Sequence, residues 1–174
     1  MAIKDRVITA VERLRKANDE YYSLEFDTDS GQVLNPGASE AQLVDVERRL
    51  GAPLPPSYRA FLELHNGWLE FSGEAMVLPT DEHDKPWVVK RTKRFHDHIR
   101  EFEKTNLLQH AFFVMMGEGE PNFAYFDKAK RSADGEMEVV YWDLVMGDLG
   151  RYPDFAAFLE AQATSMERLV AAKK

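Results

Sequence analysis

The chain has 174 residues, a length typical of one domain, and its 44% hydrophobic and 11% aromatic residues are sufficient for a substantial buried core. It contains no cysteine, which excludes disulfides, thiolate zinc sites, iron–sulfur clusters and cysteine nucleophiles. Its formal net charge of −8 opposes contact with polyphosphates, so nonspecific nucleic-acid binding is disfavoured.

The charge is distributed unevenly along the chain. Residues 117–154 hold nine acidic and four basic side chains, whereas residues 90–104 hold six basic and three acidic ones. An acidic surface can steer a basic protein partner toward it, although ordinary solubility is an alternative explanation of the same charge. Only this basic segment favours a nucleic acid as the partner, so we rank nucleic-acid binding last among the candidate functions.

The N-terminal segment, MAIKDRVITAVERLRK, lacks the uninterrupted apolar core of a signal peptide. No stretch of the sequence approaches the ~18 consecutive apolar residues of a membrane span. We therefore expect a cytoplasmic protein without membrane contact.

Residues 2–24 are predicted to form an amphipathic helix, because their apolar side chains recur with a helical period. The following segment, DTDSGQVLNPGAS, has the composition of a loop. Its early aspartates, Asp27 and Asp29, suggest a calcium-binding EF-hand. That motif needs a ligand, a glycine and a glutamate at its fifth, sixth and twelfth positions, and this loop has none of the three, so a simple turn is predicted.

Two short helices joined by a proline-rich elbow are predicted next. A capping box of Ser39 and Gln42 begins the first of them, and Gly51 ends it. The prolines of APLPP cannot continue that helix, and the next one starts at Pro56 or the residue after it. Its apolar residues share one buried face, and the dipeptide Asn66-Gly67 is expected to end it.

The remaining chain is predicted to add a surface helix, several strands and a final helix. Phe95, Ile99 and Phe102 have helical spacing within KRTKRFHDHIREFEKTN. The runs EAMVLP, HAFFVMM, NFAYFD and EMEVVYWD are typical of strands, and Asp134-Gly135 marks a hairpin turn. Pro153 opens the final helix. This order predicts an α+β fold, a single domain with an antiparallel meander sheet and helices packed mainly on one side.

Few patterns in the sequence indicate catalysis or metal binding. His96 and His98 point in different directions on a helix and cannot share a metal there. The loop GEGEPN resembles half of a phosphate-binding loop, but its glutamates repel anions and Pro121 removes a donor. No serine lies in a G-x-S-x-G elbow. We predict no catalytic residue, metal or cofactor, and an enzyme that uses paired carboxylates is a minor alternative.

The stretch SEAQLVDVERRLGAPLPPSYRAFLELHNGW resembles the signature of the SUKH superfamily, which includes the yeast Smi/Knr cell-wall regulators and many bacterial immunity proteins. FFVMMGEGEPNFAYFD and YPDFAAFLEAQ are similar to later family segments and follow in the same order. The resemblance covers residues 39–169, with residues 1–38 as an N-terminal helix and loop of the same domain. The signature positions, which the resemblance assigns to the scaffold, are Glu47, Gly51, Leu54, Pro55, Tyr58, Phe61, Asn66 and Gly67.

This resemblance implies a non-enzymatic protein-binding module, and in bacteria an immunity protein that binds and neutralises a cognate toxin. A nuclease is a suitable toxin, because an acidic inhibitor complements a basic substrate groove. A cytoplasmic regulatory or adaptor protein of the same fold is the alternative. We expect carboxylates to steer the partner and a tryptophan to anchor it. The expected contact residues are Glu118, Glu120, Asp127, Trp142 and Asp143, with Glu70 and Glu74 as further candidates.

Overall fold

The computed structural model of the chain describes residues 2–104 and 106–174. Within these residues, five α-helices and one seven-stranded sheet form an α+β domain, which confirms the predicted fold class. The helices are α1 (Ile3–Phe26), α2 (Glu40–Leu50), α3 (Pro56–Leu64), α4 (Pro86–His98) and α5 (Phe155–Lys173), and a π-helix (Ile99–Glu103) continues α4. The strands are β1 (Val33–Leu34), β2 (Trp68–Ser72), β3 (Ala75–Val77), β4 (Ala111–Met116), β5 (Asn122–Arg131), β6 (Met137–Asp143) and β7 (Gly147–Tyr152).

The sheet is an antiparallel meander in which the strand order is the chain order. Each strand pairs with the next, so the turns after β2, β4 and β6 all lie at one end of the sheet. The turn after β5 lies at the opposite end. This alternation brings three sequence-distant turns close together.

The helices cover the two faces of the sheet unequally. One face packs against α1, α2, α3 and α5 in the larger core, whose biggest side chains include Tyr58, Phe61, Trp68, Phe126 and Phe155. The other face packs against α4 and the π-helix in a smaller core that includes Phe95, Ile99, Phe113, Phe123 and Val140. The prediction that helices pack mainly on one side is therefore confirmed, and α4 is the helix on the second side.

Local sequence signals explain the two helices around the elbow. The Ser39 hydroxyl accepts from the Gln42 amide at 3.4 Å, and the Ser39 amide donates to the Gln42 side chain at 2.8 Å, so the predicted capping box is present. Gly51 ends α2 in the left-handed conformation, with φ of 76°. Glu47 Oε1 then accepts from the Leu54 amide at 3.0 Å, which fixes the elbow to the helix it leaves.

Helix α3 does not end by the predicted mechanism. The helix stops at Leu64, and Asn66 does not adopt a left-handed conformation. Instead, Asn66 Oδ1 accepts from the Thr80 amide at 2.8 Å. Gly67 does need its positive φ of 91°, and a Cβ at Gly67 would lie 2.6 Å from the Pro79 ring. The pair therefore anchors the start of β2 rather than capping the helix.

Two further differences from the predictions have clear physical causes. Phe102 does not join Phe95 and Ile99 in the core, because the π-helix changes the angular spacing after residue 98. Strands β1, β2 and β7 were not predicted. Strand β1 has two residues, β2 contains a register shift with Glu70 at φ of 51°, and β7 contains two glycines, so none shows regular alternation.

Candidate protein-binding surface

Three turns form a continuous surface at one end of the sheet. They comprise residues 73–74, 117–121 and 144–146, and we call this surface, together with the side of α4 that contacts it, the hairpin end. The strand register places the turns side by side, because Asn122 at the start of β5 pairs with Asp143 at the end of β6. Glu74, Glu118 and Glu120, all predicted from sequence, lie in this surface.

Direct hydrogen bonds hold the three turns in fixed positions. The Glu74 amide donates to Glu120 Oε1 at 3.1 Å, and the Leu144 amide donates to the Pro121 carbonyl at 3.1 Å. Gly117 permits the close approach, because a Cβ at this position would lie 2.9 Å from the Glu74 carbonyl oxygen. The hairpin end is therefore a preorganised surface rather than a set of independent loops.

Helix α4 brings basic side chains to this acidic surface. The buried Arg91 guanidinium donates to the Glu120 carbonyl, and a ring nitrogen of His98 lies 3.2 Å from the Leu144 carbonyl oxygen. Lys90 and Arg94 lie beside Glu118 around a small pocket. The charge of the hairpin end is therefore mixed, because the basic segment noted in the sequence folds against the acidic turn.

Trp142 and Asp143 lie beneath this surface. Trp142 is 9% exposed and packs in the smaller core, on the sheet face that α4 covers. Asp143 is also buried, and its Oδ1 accepts from the amides of Val145 at 2.7 Å and Met146 at 2.9 Å. Asp143 therefore shapes the turn between β6 and β7, and Trp142 packs in the core beneath it.

Sequence reasoning missed the exposed apolar residues that this turn presents. Val145 is 86% exposed and Met146 is 71% exposed. Phe102 of the π-helix is 64% exposed and packs against the His98 ring in a tilted arrangement, with 4.6 Å between ring centroids. His98 in turn contacts Leu144. The sequence signal was the run LVMG directly after a strand, because consecutive apolar residues in a turn are unusual.

The remaining predicted contact residues lie outside the hairpin end. Asp127 pairs with Ala111, far along β5 from the acidic turn, and its Oδ1 accepts from the Ala129 amide at 3.0 Å. Glu70 lies within the irregular part of β2, near Gly31. The structure therefore does not bring the seven candidate residues into one site.

The signature residues lie in or beside the larger core. Tyr58 packs edge-on against Phe126 and Phe155, with ring centroids 5.2 and 4.9 Å apart. Glu47 also approaches the Arg59 guanidinium at 3.4 Å. The buried members of the set are Leu54, Pro55, Tyr58, Phe61 and Gly67. These positions build the elbow and its packing and present little surface to a partner.

Two titratable groups in the described residues have pKa values that burial shifts, and they lie in different parts of the fold. Burial lowers the pKa of His83 to about 4, and this ring stacks on Phe112, away from His98. Burial raises the pKa of the Glu136 carboxyl, but both of its oxygens accept hydrogen bonds from Ser57. In the part of the chain that the structure describes, no group of three His, Asp or Glu side chains is arranged to hold a metal ion. None of the helices in the same residues is both long and apolar enough to cross a membrane.

Comparison with known proteins gives the family directly. The sequence profile of the SMI1/KNR4 family (SUKH-1) matches residues 37–161, so the chain belongs to this family. The matched range includes all three turns of the hairpin end and also α4, for which the sequence offered no family pattern. No curated protein matches the chain.

Proposed function

We propose that this protein is an immunity protein that binds and neutralises a cognate bacterial toxin through its hairpin end. The observation that carries the proposal is the pair Val145 and Met146, two highly exposed apolar side chains on a turn held by Asp143 and by the neighbouring turn. Exposed apolar groups on a rigid frame are typical of protein interfaces, because binding them costs little conformational entropy.

The surrounding charges support a protein partner with a mixed surface. Glu74 and Glu118 are exposed at the rim, where they steer a basic patch of the partner toward the hairpin end. Val145 and Met146 replace Trp142 as the proposed anchors, because an interface anchor must be accessible before binding. We keep Asp127 and Glu70 as secondary candidates for a wider contact.

The proposal also holds that the protein acts in the cytoplasm by binding and not by catalysis. Glu136, a carboxyl group with a raised pKa, is enclosed by Ser57 and its oxygens are occupied by hydrogen bonds. A general acid or base needs access to a substrate proton, which this carboxylate lacks. The family match supports a binding role in general terms.

Affinity capture tests this proposal. The tagged protein is used as bait in extract of its native host, at low and at high salt, together with the charge-reversal variant Glu74→Lys/Glu118→Lys. We expect one stoichiometric partner with a toxin domain, and we expect both high salt and charge reversal to reduce its recovery about tenfold. Glu120 stays unchanged in this variant, because its carboxylate holds the Glu74 amide.

The variant Asp5→Lys/Glu12→Lys is the matched control. It makes the same charge change on exposed residues of α1, which packs on the opposite face of the sheet. An equal loss of partner recovery in both variants would show that the effect depends on net charge alone and not on the hairpin end. Recovery of no toxin-domain protein by the unchanged bait would contradict the immunity proposal.

A regulatory or adaptor role without a toxin is the second candidate, since the matched family bears the name SMI1/KNR4. The two candidates differ in their partners, because an adaptor would capture signalling or metabolic proteins through the same surface. They differ also in gene context: an adjacent gene that encodes a toxin domain favours immunity, and an isolated gene favours the adaptor.

A further inference from the structure

A small pocket lies between α4 and the acidic turn of the hairpin end. Its volume is about 140 Å³, and it is lined by Trp87, Lys90, Arg91, Arg94 and Glu118. A water molecule occupies roughly 30 Å³ of liquid, so the pocket has room for a few waters or one small polar group. Three of its five lining residues are cations.

Arg91 is the least typical of these residues. It is 7% exposed, and its Nε is buried without a hydrogen-bond partner in the described part of the chain. Its terminal nitrogen donates to the Glu120 carbonyl, and its guanidinium lies 4.8 Å from the centre of the Phe95 ring. Desolvation and the nearby Arg94 lower the pKa of Arg91. A buried guanidinium ordinarily has a carboxylate partner, since desolvating an uncompensated charge is costly.

Two cations close to the pocket, one in α4 and one in the π-helix, do form ion pairs. Lys93 and Arg100 share the Asp97 carboxylate, and the Arg100 contact is 2.7 Å. In the described residues, no carboxylate lies within ion-pair distance of Lys90, Arg91 or Arg94, although Glu118 lines the same pocket. Over the residues that the structure describes, the three cations at the pocket are therefore unpaired, whereas Lys93 and Arg100 close by are paired.

We propose that this pocket is an oxyanion-binding site that takes one carboxylate or phosphate group. Arg91 supplies a desolvated, directional donor at the base of the site, and Lys90 and Arg94 complete the positive charge. The Trp87 ring forms a wall. Its indole nitrogen donates to Glu82 at 2.8 Å and is therefore oriented before the anion binds.

Glu118 sets the selectivity of the site. It is exposed and lines the pocket, and its negative charge opposes the entry of an anion. When the hairpin end also contacts a protein, the pocket selects a partner that presents an acidic side chain beside a basic patch. The anion site itself does not depend on that partner.

Titration of the isotope-labelled free protein with sodium phosphate, and separately with sodium acetate, tests the proposal by NMR at constant ionic strength. The signals followed are the Trp87 indole N–H and the Arg91 Nε–H. We expect saturable shifts, and we expect Lys90→Gln/Arg94→Gln to weaken the apparent affinity about tenfold. Lys93→Gln/Arg100→Gln removes the same amount of charge from two nearby cations that are already ion-paired, and it should change the apparent affinity less than about twofold.

The outcomes of this titration show whether the site binds carboxylate, phosphate or both, and whether it binds an anion at all. Saturation by both salts assigns a general oxyanion site, saturation by acetate alone assigns a carboxylate site, and saturation by phosphate alone assigns a phosphate site. Glu118→Gln should tighten binding several-fold, because it removes the opposing charge. Absence of saturable shifts with either salt, or equal weakening in the two double variants, would overturn the proposal. Neither result bears on toxin capture, which uses a different readout.

Discussion

The elbow between α2 and α3 and the hairpin end are both rigid, but they use their side chains in opposite ways. In the elbow, Glu47 accepts from the Leu54 amide, and Phe61 is fully buried. In the hairpin end, equally specific hydrogen bonds hold the backbone while Val145 and Met146 stay exposed. This difference indicates that the residues of a family signature stabilise the fold. Binding depends instead on exposed side chains that a rigid backbone presents to a partner.

The largest expected effect comes from comparing the same residue type at a buried and at an exposed position. Phe61→Ala should lower the free energy of unfolding by about 3–5 kcal/mol, because it leaves a cavity in the larger core. Phe102→Ala removes the same side chain from the exposed π-helix and should change stability by about 0.5 kcal/mol or less. Urea denaturation of both variants measures the difference. Similar losses would contradict the exposed position of Phe102.

A smaller effect is expected at the junction of core and surface. Asp143→Ala removes the acceptor of two turn amides and should lower the free energy of unfolding by about 1.5–3 kcal/mol. Asp143→Asn keeps an acceptor oxygen and should cost less than the alanine change. Hydrogen exchange of the Val145 and Met146 amides should accelerate in the alanine variant. Unchanged exchange at both amides would contradict the shaping role of Asp143.

The smallest expected effect is a pH dependence in the region of the elbow. Burial raises the pKa of Glu136, so its contribution to stability is full below the unfolded pKa of about 4.3 and is lost as pH rises through the folded pKa. The unfolding free energy of the wild type minus that of Glu136→Gln should therefore decrease from about pH 4 to pH 7. A difference that grows with pH would reverse the sign we assign to Glu136.

The parts of the fold with strong local signals were predictable from sequence. The capping box at Ser39, the stop at Gly51 and the long apolar strands β4 to β6 follow from propensity and periodicity. Strands β1, β2 and β7 are too short, shifted or rich in glycine to show a pattern, so only pairing with neighbours makes them strands.

The candidate site was predictable in part. The acidic turn was found because Glu118 and Glu120 are only two positions apart in the sequence. The inward direction of Trp142 was not predictable, because it depends on α4 covering the second face of the sheet. The contact between Arg91 and the acidic turn was not predictable either, because Arg91 and Glu120 are 29 positions apart and only tertiary packing brings them together.

The account's central claim is that Val145 and Met146 anchor a protein partner. The most direct test compares capture of the toxin-domain partner by wild-type protein, by Val145→Ser/Met146→Ser, and by Val44→Ser/Leu169→Ser, which changes two exposed apolar residues elsewhere. We predict that the turn variant loses at least about tenfold in partner affinity with unchanged folding, whereas the control variant binds like the wild type. Wild-type affinity in the turn variant would contradict the claim and move the interface away from the hairpin end.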